Sequence, residues 1–471
     1  MLLKILRNLL FSLLALVLAL GTTSISFSPP IAAMTTQTQP DIPAIASTPA
    51  QNLARTLIEL LNQGNFDQAL TNFSPQLQRI LTAAQLQQAW SAIAEQLGEF
   101  EQVKAITQQT INGVEVIILT CQFATDSLRV QVAVDGNSQI AGLQFLPDPA
   151  TQVFSPPSYA DSSKFQEQEV QIGTGPTLLP GTLTIPKGEG TFPAVVLVHG
   201  SGPNDRDETI GANKPFRDLA WGLASLGIAV LRYDKRTLVY PQEFQGNFTV
   251  QEEVVADAIA AVNFLRQRSP LNPQINAKIN PQQIYVLGHS LGGLLIPRIG
   301  CREPNLAGLI ALAAPSRPFE DLFLEQSLYL ANLDGVVTPE EQVQIEATRQ
   351  HVAVIKARAW EQVPAARLLL GVPVSYWQDL QDYQPAIVAQ SLSQRLLILQ
   401  GERDYQVTLQ DFQGWKNALG ARSNATLKAY PLLNHIFTSG SGIPTPTEYQ
   451  IPSHVEEEVI KDIAQWIAAG K

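Results

Sequence analysis

Residues 284–293 read IYVLGHSLGG, and this short stretch decides the fold. Four apolar residues predict a buried strand, and the next residues predict a sharp turn that leads into an apolar helix. Gly288 and Gly292 flank Ser290 and let neighbouring backbone approach closely at strained angles. The turn lifts the Ser290 hydroxyl above the sheet, at a helix N-terminus whose positive end favours developing negative charge. Ser290 is therefore the candidate nucleophile.

Around this stretch, from residue 165 onward, apolar runs alternate with helical patterns. The runs are short and almost continuously apolar, which is typical of strands buried on both faces of a parallel sheet. We expect an antiparallel pair at 169–172 and 178–185. Six more strands are expected at residues 194–198, 228–231, 284–287, 308–313, 396–400 and 426–430. This alternation predicts an α/β domain with a mostly parallel sheet over residues 165–471.

A serine nucleophile needs a base, and the base needs an acid that orients it. Asp404 follows the strand at 396–400, and His435 follows the last strand. Because ligands meet such sheets at the carboxyl ends of the strands, we expect both side chains near Ser290. The chain order of serine, acid and histidine is the order expected for this kind of sheet. Glu402 is the alternative acid, and a surface loop position is the alternative for His435.

The turn after the strand at 194–198 is the candidate oxyanion hole, with the sequence HGSG at residues 199–202. We assign the two backbone N–H donors to Leu291, directly after the nucleophile, and to Ser201. Gly202 is the alternative to Ser201. His199 is interpreted as a structural residue beneath this turn, with a role as second base as the alternative.

About 80 residues separate the predicted strands at 308–313 and 396–400, far more than one connection needs. The segment at about 316–394 has helical patterning and several aromatic residues. An insertion at this point lies over the carboxyl edge of the strands, where ligands bind. We interpret it as a helical lid, and extra surface helices without a role are the alternative.

The chain before residue 148 shows a different organisation. Helical patterns are followed, from Val114, by apolar residues with a period of two, which predicts antiparallel strands. Residues 50–147 are thus expected to form three helices and a sheet in a small α+β domain. A proline-containing linker follows at 148–164. Because the domain contains no histidine, it holds no assembled catalytic set; stabilising its neighbour is the simpler role, and ligand binding is the alternative.

The first 33 residues have the layout of a secretory signal peptide. Lys4 and Arg7 precede a nearly unbroken apolar run, and small residues follow up to Ala33. The run is shorter than the ~20 residues that a membrane span needs. Residues 1–33 are therefore expected to be removed on export to the periplasm or the medium, with an uncleaved membrane anchor as the alternative. Residues 34–49 are expected to be a flexible leader.

Composition excludes several classes of function. The chain has 471 residues and a formal net charge of −11, without a run of Lys and Arg, which argues against nucleic-acid binding. The five histidines lack the spacing of zinc ligands, so neither a metal nor another cofactor is expected. The two cysteines, Cys121 and Cys301, lie in different predicted domains. Two buried thiols are the expected state, and a disulfide is the alternative.

Residues 165–469 resemble the α/β-hydrolase superfamily. Within that superfamily, three segments resemble bacterial secreted carboxylesterases. They are HGSGPNDRDE at 199–208, NKPF at 213–216 and YDKR at 233–236. The resemblance implies esterase activity, and it carries the triad over onto Ser290, Asp404 and His435. At YDKR, many relatives carry an Asp-x-Arg turn that supports the site. The first domain, with GNFD at residues 64–67, resembles small bacterial domains of unknown function that are thought to form a nuclear-transport-factor-like or cystatin-like cone.

The expected function is hydrolysis of small carboxylic esters through an acyl-enzyme intermediate. A peptidase, an acyltransferase or a cell-envelope deacylase with the same triad is the alternative, because fold and triad do not determine the leaving group. A non-catalytic binding protein is the third class, and the complete triad argues against it. Proximity to a membrane or the cell envelope and the oligomeric state are left open.

Overall fold

The computed structural model describes residues 48–78, 81–111, 114–147, 154–266, 278–333, 335–362 and 368–470. The chain divides into two compact units between residues 153 and 154. The predicted signal peptide at 1–33 lies outside the described residues, as does the predicted leader except for its last two residues. Cleavage, export and flexibility of the leader therefore stay predictions. None of the described helices is both long and apolar enough to cross a membrane.

The first unit opens with four helices where the sequence predicted three, because a single short turn follows the second helix. The helices are α1 (Pro49–Asn62), α2 (Phe66–Leu70), α3 (Pro75–Gln78) and α4 (Ala83–Leu97). Thr48 and Thr82 begin α1 and α4 with capping boxes, in which each threonine hydroxyl and a glutamine side chain bind one another's backbone N–H. The caps satisfy N–H groups that would otherwise lack partners.

A four-stranded antiparallel sheet completes the first unit. Its strands are β1 (Phe100–Ile111), β2 (Val114–Phe123), β3 (Ser127–Val134) and β4 (Ile140–Pro147), in the order β1-β2-β3-β4. The expectation that strands begin at Val114 was wrong, because it omitted β1. The register of β1 against β2 shifts between Phe100 and Gln102 and again between Val103 and Ala105. Such bulges interrupt the two-residue alternation that identifies a strand in a sequence.

The second unit contains an eight-stranded sheet, and its strands match the expected positions. They are β5 (Phe165–Ile172), β6 (Leu179–Pro186), β7 (Phe192–Val198), β8 (Ala229–Tyr233), β9 (Ile279–His289), β10 (Gly308–Leu312), β11 (Arg395–Gly401) and β12 (Ala425–Tyr430). The strand order is β12-β11-β10-β9-β7-β8-β6-β5. From β8 to β12 neighbouring strands are parallel, and β6 pairs antiparallel with both β8 and β5. The predicted α/β class is confirmed.

Helices cover this sheet, and several of them lie in the long segment between β10 and β11. The helices are α5 (Pro215–Ser225), α6 (Arg236–Val239), α7 (Ala256–Arg266), α8 (Leu291–Arg302), α9 (Phe319–Ala331), α10 (Pro339–Ala357), α11 (Val374–Leu380), α12 (Pro385–Ala389), α13 (Leu409–Leu419) and α14 (Glu457–Ala468). A π-helical turn, Gln251–Val255, leads into α7. The helices α9 to α12 make up the described part of the predicted insertion at 316–394.

Apolar side chains fill both faces of the large sheet. In β7, for example, Val196 and Val198 join one buried apolar cluster, and Val195 and Leu197 join the other. Successive side chains of a strand point to opposite faces, so a strand covered on both sides must be apolar at every position. This requirement explains the continuous apolar runs in the sequence.

The second half of the predicted linker packs on the second unit. The Phe154 ring meets the Trp221 ring edge-on, with 5.6 Å between centroids. The Tyr159 hydroxyl donates a 2.6 Å hydrogen bond to the Val455 carbonyl. The structure therefore places residues 154–164 within the second unit, because these two aromatic side chains find partners there. Residues 148–153 lie outside the described residues.

The last helix begins later than its local sequence predicts. Ser453 and Glu456 have the spacing of a capping box, which predicts a helix that starts after Ser453, but α14 starts after Glu456. The Ser453 N–H instead donates to the Asn213 side chain at 2.7 Å, and the Val455 N–H donates to Asp218 at 3.0 Å. Side chains from an earlier part of the chain thus satisfy the backbone that the motif would have satisfied locally.

Candidate active site

Ser290 occupies the sharp turn between β9 and α8. Its backbone has φ 55° and ψ −115°, a conformation that L-residues rarely adopt. A Cβ atom at Gly288 would collide with the Gly292 carbonyl, and one at Gly292 would collide with the Val198 carbonyl. Only glycine fits these two positions, as the sequence indicated. The turn places Ser290, partly exposed, at the first turn of α8.

Asp404 and His435 lie in direct contact at the carboxyl ends of β11 and β12. The His435 Nδ1 atom is 2.7 Å from Asp404 Oδ2, and both side chains are buried. Asp404 Oδ1 accepts the backbone N–H groups of Gln406 and Val407, at 2.8 and 2.9 Å. These bonds fix the carboxylate so that one oxygen faces the histidine. The alternative acid Glu402 has an exposed side chain and makes no such contact within the described residues.

His435 packs on His289, the residue directly before Ser290. The His289 and His435 rings lie 4.6 Å apart, and His289 Nε2 is 2.9 Å from the His435 carbonyl oxygen. Among the described residues there is no hydrogen bond between the Ser290 hydroxyl and the His435 ring. Such a contact often tightens only when substrate binds. The structure thus gathers the three predicted residues at one edge of the sheet, and their catalytic roles stay a prediction.

The predicted oxyanion turn lies beside Ser290, the candidate nucleophile. A Cβ atom at Gly200 would stand 3.1 Å from the Ser290 Cβ, so residues 199–202 pass directly against Ser290. The buried Leu291 follows Ser290 as the first residue of α8. The predicted donors, Ser201 and Leu291, thus lie on the two segments that meet at the serine. Gly202, the alternative, has an exposed left-handed backbone with φ 94°.

Three buried side chains at the site, Glu208, His289 and Lys235, were missed as functional residues. Glu208 Oε1 accepts the Gly200 N–H at 2.6 Å, and Glu208 Oε2 lies 2.9 Å from His289 Nδ1. Lys235 Nζ donates to the Gly200 carbonyl at 2.8 Å. Glu208 and Lys235 do stand in segments that resemble carboxylesterases. The resemblance included Glu208 and Lys235 in the matched segments but gave neither of them a role. It assigned support of the site to the turn around Asp234.

Glu208 and His289 lie side by side behind the candidate triad. Burial disfavours charge on His289, but the neighbouring Glu208 carboxylate outweighs burial and raises the pKa of His289. Burial also opposes ionisation of Glu208, and its contact with His289 outweighs that effect and lowers the pKa of Glu208. The His289 ring lies between Glu208 and the His435 carbonyl, with Nδ1 2.9 Å from Glu208 Oε2 and Nε2 2.9 Å from the carbonyl oxygen. The pair therefore connects the oxyanion turn to the backbone of the candidate base.

Two segments of the chain match known protein families. Residues 192–439 match the family described as serine aminopeptidase, S33. The chain belongs to this family. Residues 54–143, in the first unit, match a family described as a protein of unknown function, DUF3887.

Among similar proteins, the esterase EstD of Thermotoga maritima is 37% identical to this S33-family chain over 410 residues, which cover 87% of the chain and 93% of EstD. Est1E of Butyrivibrio proteoclasticus has a solved structure with 16% identity and a TM-score of 0.41, covering 64% of this chain and 99% of Est1E. A Pyrococcus furiosus esterase has 17% identity and a TM-score of 0.38, covering 67% and 97%. The predicted membership of an esterase-type α/β-hydrolase family is confirmed.

One of the two cysteines in this S33-family chain differs from the expectation that both thiols are buried. Both cysteines are free; Cys121 is buried, and burial raises the pKa of its thiol to about 12. Cys301 was expected to be buried but is exposed, because the last turn of α8 presents it to solvent. Among the described residues, no cluster of three or more His, Cys, Asp and Glu side chains could hold a metal ion.

His199 lies beneath the oxyanion turn, and its Nε2 is 3.0 Å from the Asp205 carbonyl. Burial lowers the pKa of His199 to about 4. In the unfolded chain His199 is protonated below about pH 6.5, but in the folded chain only below about pH 4. The contribution of His199 to the free energy of unfolding is therefore fully present above pH 6.5 and is lost as the pH falls from about 6.5 toward about 4. Between pH 7 and pH 5, His199 is expected to cost the native protein roughly 2 kcal/mol of unfolding free energy.

The measurement is urea unfolding at both pH values, for the native chain and for His199→Gln. A glutamine amide can still donate to the Asp205 carbonyl, but it does not titrate. The difference between the two chains isolates His199 from every other group that titrates. Equal losses of stability in both chains would contradict the prediction.

Proposed function

We propose that this S33-family chain is a serine hydrolase that cleaves carboxylic esters through an acyl-enzyme intermediate. The observation that carries the proposal is the buried contact between Asp404 and His435, at the same sheet edge as the strained Ser290 turn. A carboxylate on Nδ1 holds the proton there and leaves Nε2 free to accept the serine proton. The similarity to an esterase over most of the chain supports ester substrates.

In the proposed reaction, Ser290 Oγ attacks the ester carbonyl carbon while His435 takes the hydroxyl proton. The resulting oxyanion is held by the N–H groups of Leu291 and Ser201, and loss of one such donor typically costs roughly 10²–10³ in rate. The C–O bond to the alcohol then breaks, and His435 returns the proton to the leaving oxygen. A water molecule, deprotonated by His435, attacks the acyl-enzyme, and release of the acid restores the serine.

Contacts between the helical insertion and the loop of Asp404 support a role for the insertion as a lid over this site. The Tyr329 ring, on α9, stacks on the Tyr405 ring with 5.2 Å between centroids, directly beside Asp404. On the same helix, the Gln326 side chain donates to the Gln406 carbonyl at 2.9 Å. The insertion thus packs on the loop that holds the proposed acid, which favours a lid over surface helices without a role.

A peptidase is the second candidate, since the family description names a serine aminopeptidase. An aminopeptidase needs an anionic group for the substrate ammonium. The buried carboxylates around this site already face partners: Asp404 binds His435, Glu208 binds His289 and Glu253 binds Lys235. Because these three carboxylates already have partners, they do not supply an anionic group for a substrate ammonium. This favours an ester substrate without a free amino group.

The deciding experiment compares p-nitrophenyl acetate, butyrate and octanoate with alanyl and prolyl p-nitroanilides, using Ser290→Ala as the background. We expect kcat/KM to be at least about a hundredfold higher on the preferred ester than on either anilide. Anilide turnover equal to or above ester turnover would assign the peptidase function instead. Ester turnover that persists in Ser290→Ala would overturn the serine mechanism itself.

A further inference from the structure

Gly200, between β7 and Ser201, is held at both of its peptide groups by buried ions. Its N–H donates to Glu208 Oε1 at 2.6 Å, and its carbonyl accepts from Lys235 Nζ at 2.8 Å. The Glu208 and Lys235 side chains are each only 2% exposed. The Asn204 side chain adds a weaker bond to the same carbonyl at 3.2 Å. The backbone beside the nucleophile is therefore fixed by strong, charge-assisted bonds.

The contact with Lys235 acts on the neighbouring residue as well. The Gly200 carbonyl and the Ser201 N–H belong to one planar peptide unit, and this bond is trans. In a trans unit the two groups point in opposite directions, so a ligand on the carbonyl determines where the N–H points. A cation on the oxygen also polarises the amide and makes its N–H a stronger donor. Lys235 thus contacts the opposite side of the peptide unit that carries the proposed oxyanion donor, the Ser201 N–H.

Stability alone gives no reason for this lysine. Burying an ion pair costs desolvation energy, and well-packed apolar residues often replace such pairs without loss. Within the described part of the chain, Lys235 pairs with one carboxylate, that of Glu253, at 2.6 Å, on the π-helical turn before α7. Turns of this type occur frequently at functional sites. Tyr376, fully buried on α11 of the insertion, lies near Glu253, whose negative charge helps to raise the pKa of its hydroxyl after burial.

We propose that Lys235 is a positioning residue for ester hydrolysis, which orients and polarises the Ser201 N–H through the Gly200 carbonyl. Glu253 holds the lysine in place, and Glu208 holds the opposite side of Gly200. The proposal rests on the proposed serine mechanism, because only a developing oxyanion uses this donor. Lys235 touches neither the substrate nor the reacting atoms, so its contribution belongs to the transition state.

The test removes the charge pair as a unit, because Lys235→Met alone would leave Glu253 buried without its cation. For Lys235→Met/Glu253→Gln, we expect kcat on p-nitrophenyl butyrate to fall about 10- to 100-fold with KM within about twofold. The inhibition constant of a trifluoromethyl ketone, which forms a tetrahedral adduct with the serine, should rise in parallel with the loss of kcat/KM. A loss of packing alone would not produce this proportionality.

Two further variants keep the test decisive. Lys235→Gln/Glu253→Gln retains a neutral donor for the Gly200 carbonyl, so its loss of kcat should be smaller; it carries the test if the methionine variant does not fold. Arg266→Met/Glu303→Gln removes another partly buried ion pair, at the end of α8 opposite Ser290. Within the described residues, neither of its side chains hydrogen-bonds to residues 199–202. That control should keep kcat and the inhibition constant within about threefold of native values.

The outcomes separate the two proposals. Native kcat and ketone affinity in the folded Lys235 variants, with Ser290→Ala inactive, would overturn the positioning role and leave the serine mechanism in place. Equal losses in the Arg266→Met/Glu303→Gln control would also overturn it, since the loss of any buried ion pair would then suffice. Full activity of Ser290→Ala would remove the mechanism on which the inference rests.

Discussion

Replacement of Ser290 by alanine is expected to lower kcat on small esters by about 10⁵–10⁶-fold. The reason is that no other hydroxyl occupies the turn between β9 and α8, and the acyl-enzyme cannot form without it. The fold should persist, because alanine is smaller than serine and Ser290 contributes only its backbone to the ladder, through the 2.9 Å bond from its N–H to the Leu312 carbonyl. Steady-state kinetics and thermal unfolding measure the two effects.

A fluorophosphonate probe provides an independent readout, since it labels an activated serine covalently. The native chain should be labelled and Ser290→Ala should not. The matched control is Ser163→Ala, whose exposed hydroxyl only bonds to Asp161 at 2.6 Å, and which should keep both labelling and turnover. Labelling of Ser290→Ala at the native rate would show that another residue is the nucleophile.

Asp404→Asn is expected to lower kcat by about 10³–10⁴-fold, less than the loss of the nucleophile. Asp404 Oδ1 accepts two backbone N–H groups, so an asparagine must place its carbonyl oxygen there and turn its NH₂ toward His435. The amide would then donate to Nδ1 and force the ring proton onto Nε2. That tautomer cannot accept the serine proton.

The matched control for the acid is Glu402→Gln, two residues away on the same loop. The Glu402 side chain is exposed, so kcat should stay within about twofold of the native value. Both variants are measured on one p-nitrophenyl ester across neutral and mildly alkaline pH. If Glu402→Gln were the damaging change and Asp404→Asn were mild, the acid would be Glu402.

Local sequence predicted the large sheet well, and the failures have physical causes. A strand buried on both faces must be apolar at every position, so its pattern survives whatever the neighbours are. By contrast, β1 was missed because it is an edge strand with two register shifts, and its side chains lose the alternation of a regular strand. The cap of the last helix failed for another reason, since Asn213 and Asp218 bind the backbone around Ser453.

The candidate triad could be predicted because each residue follows its own strand. Parallel strands end at one edge, so residues just beyond those ends meet without any knowledge of side-chain packing. The choice between Asp404 and Glu402 was open in the sequence, where both stand in the same loop. The structure separates them, because only Asp404 turns inward, against His435 and two backbone N–H groups.

The sequence by itself therefore determined the α/β class, the positions of the large sheet's strands along the chain and the position of the strained serine turn. These features depend on local apolar patterns and on glycine. Only the tertiary structure decided which charges support that turn. Glu208 and Lys235 lie 8 and 35 residues after Gly200 in the sequence. They hydrogen-bond to the N–H and the carbonyl of Gly200, respectively. A buried ion obtains its partner from the folded chain, so neither its burial nor its partner can be read from the residues around it.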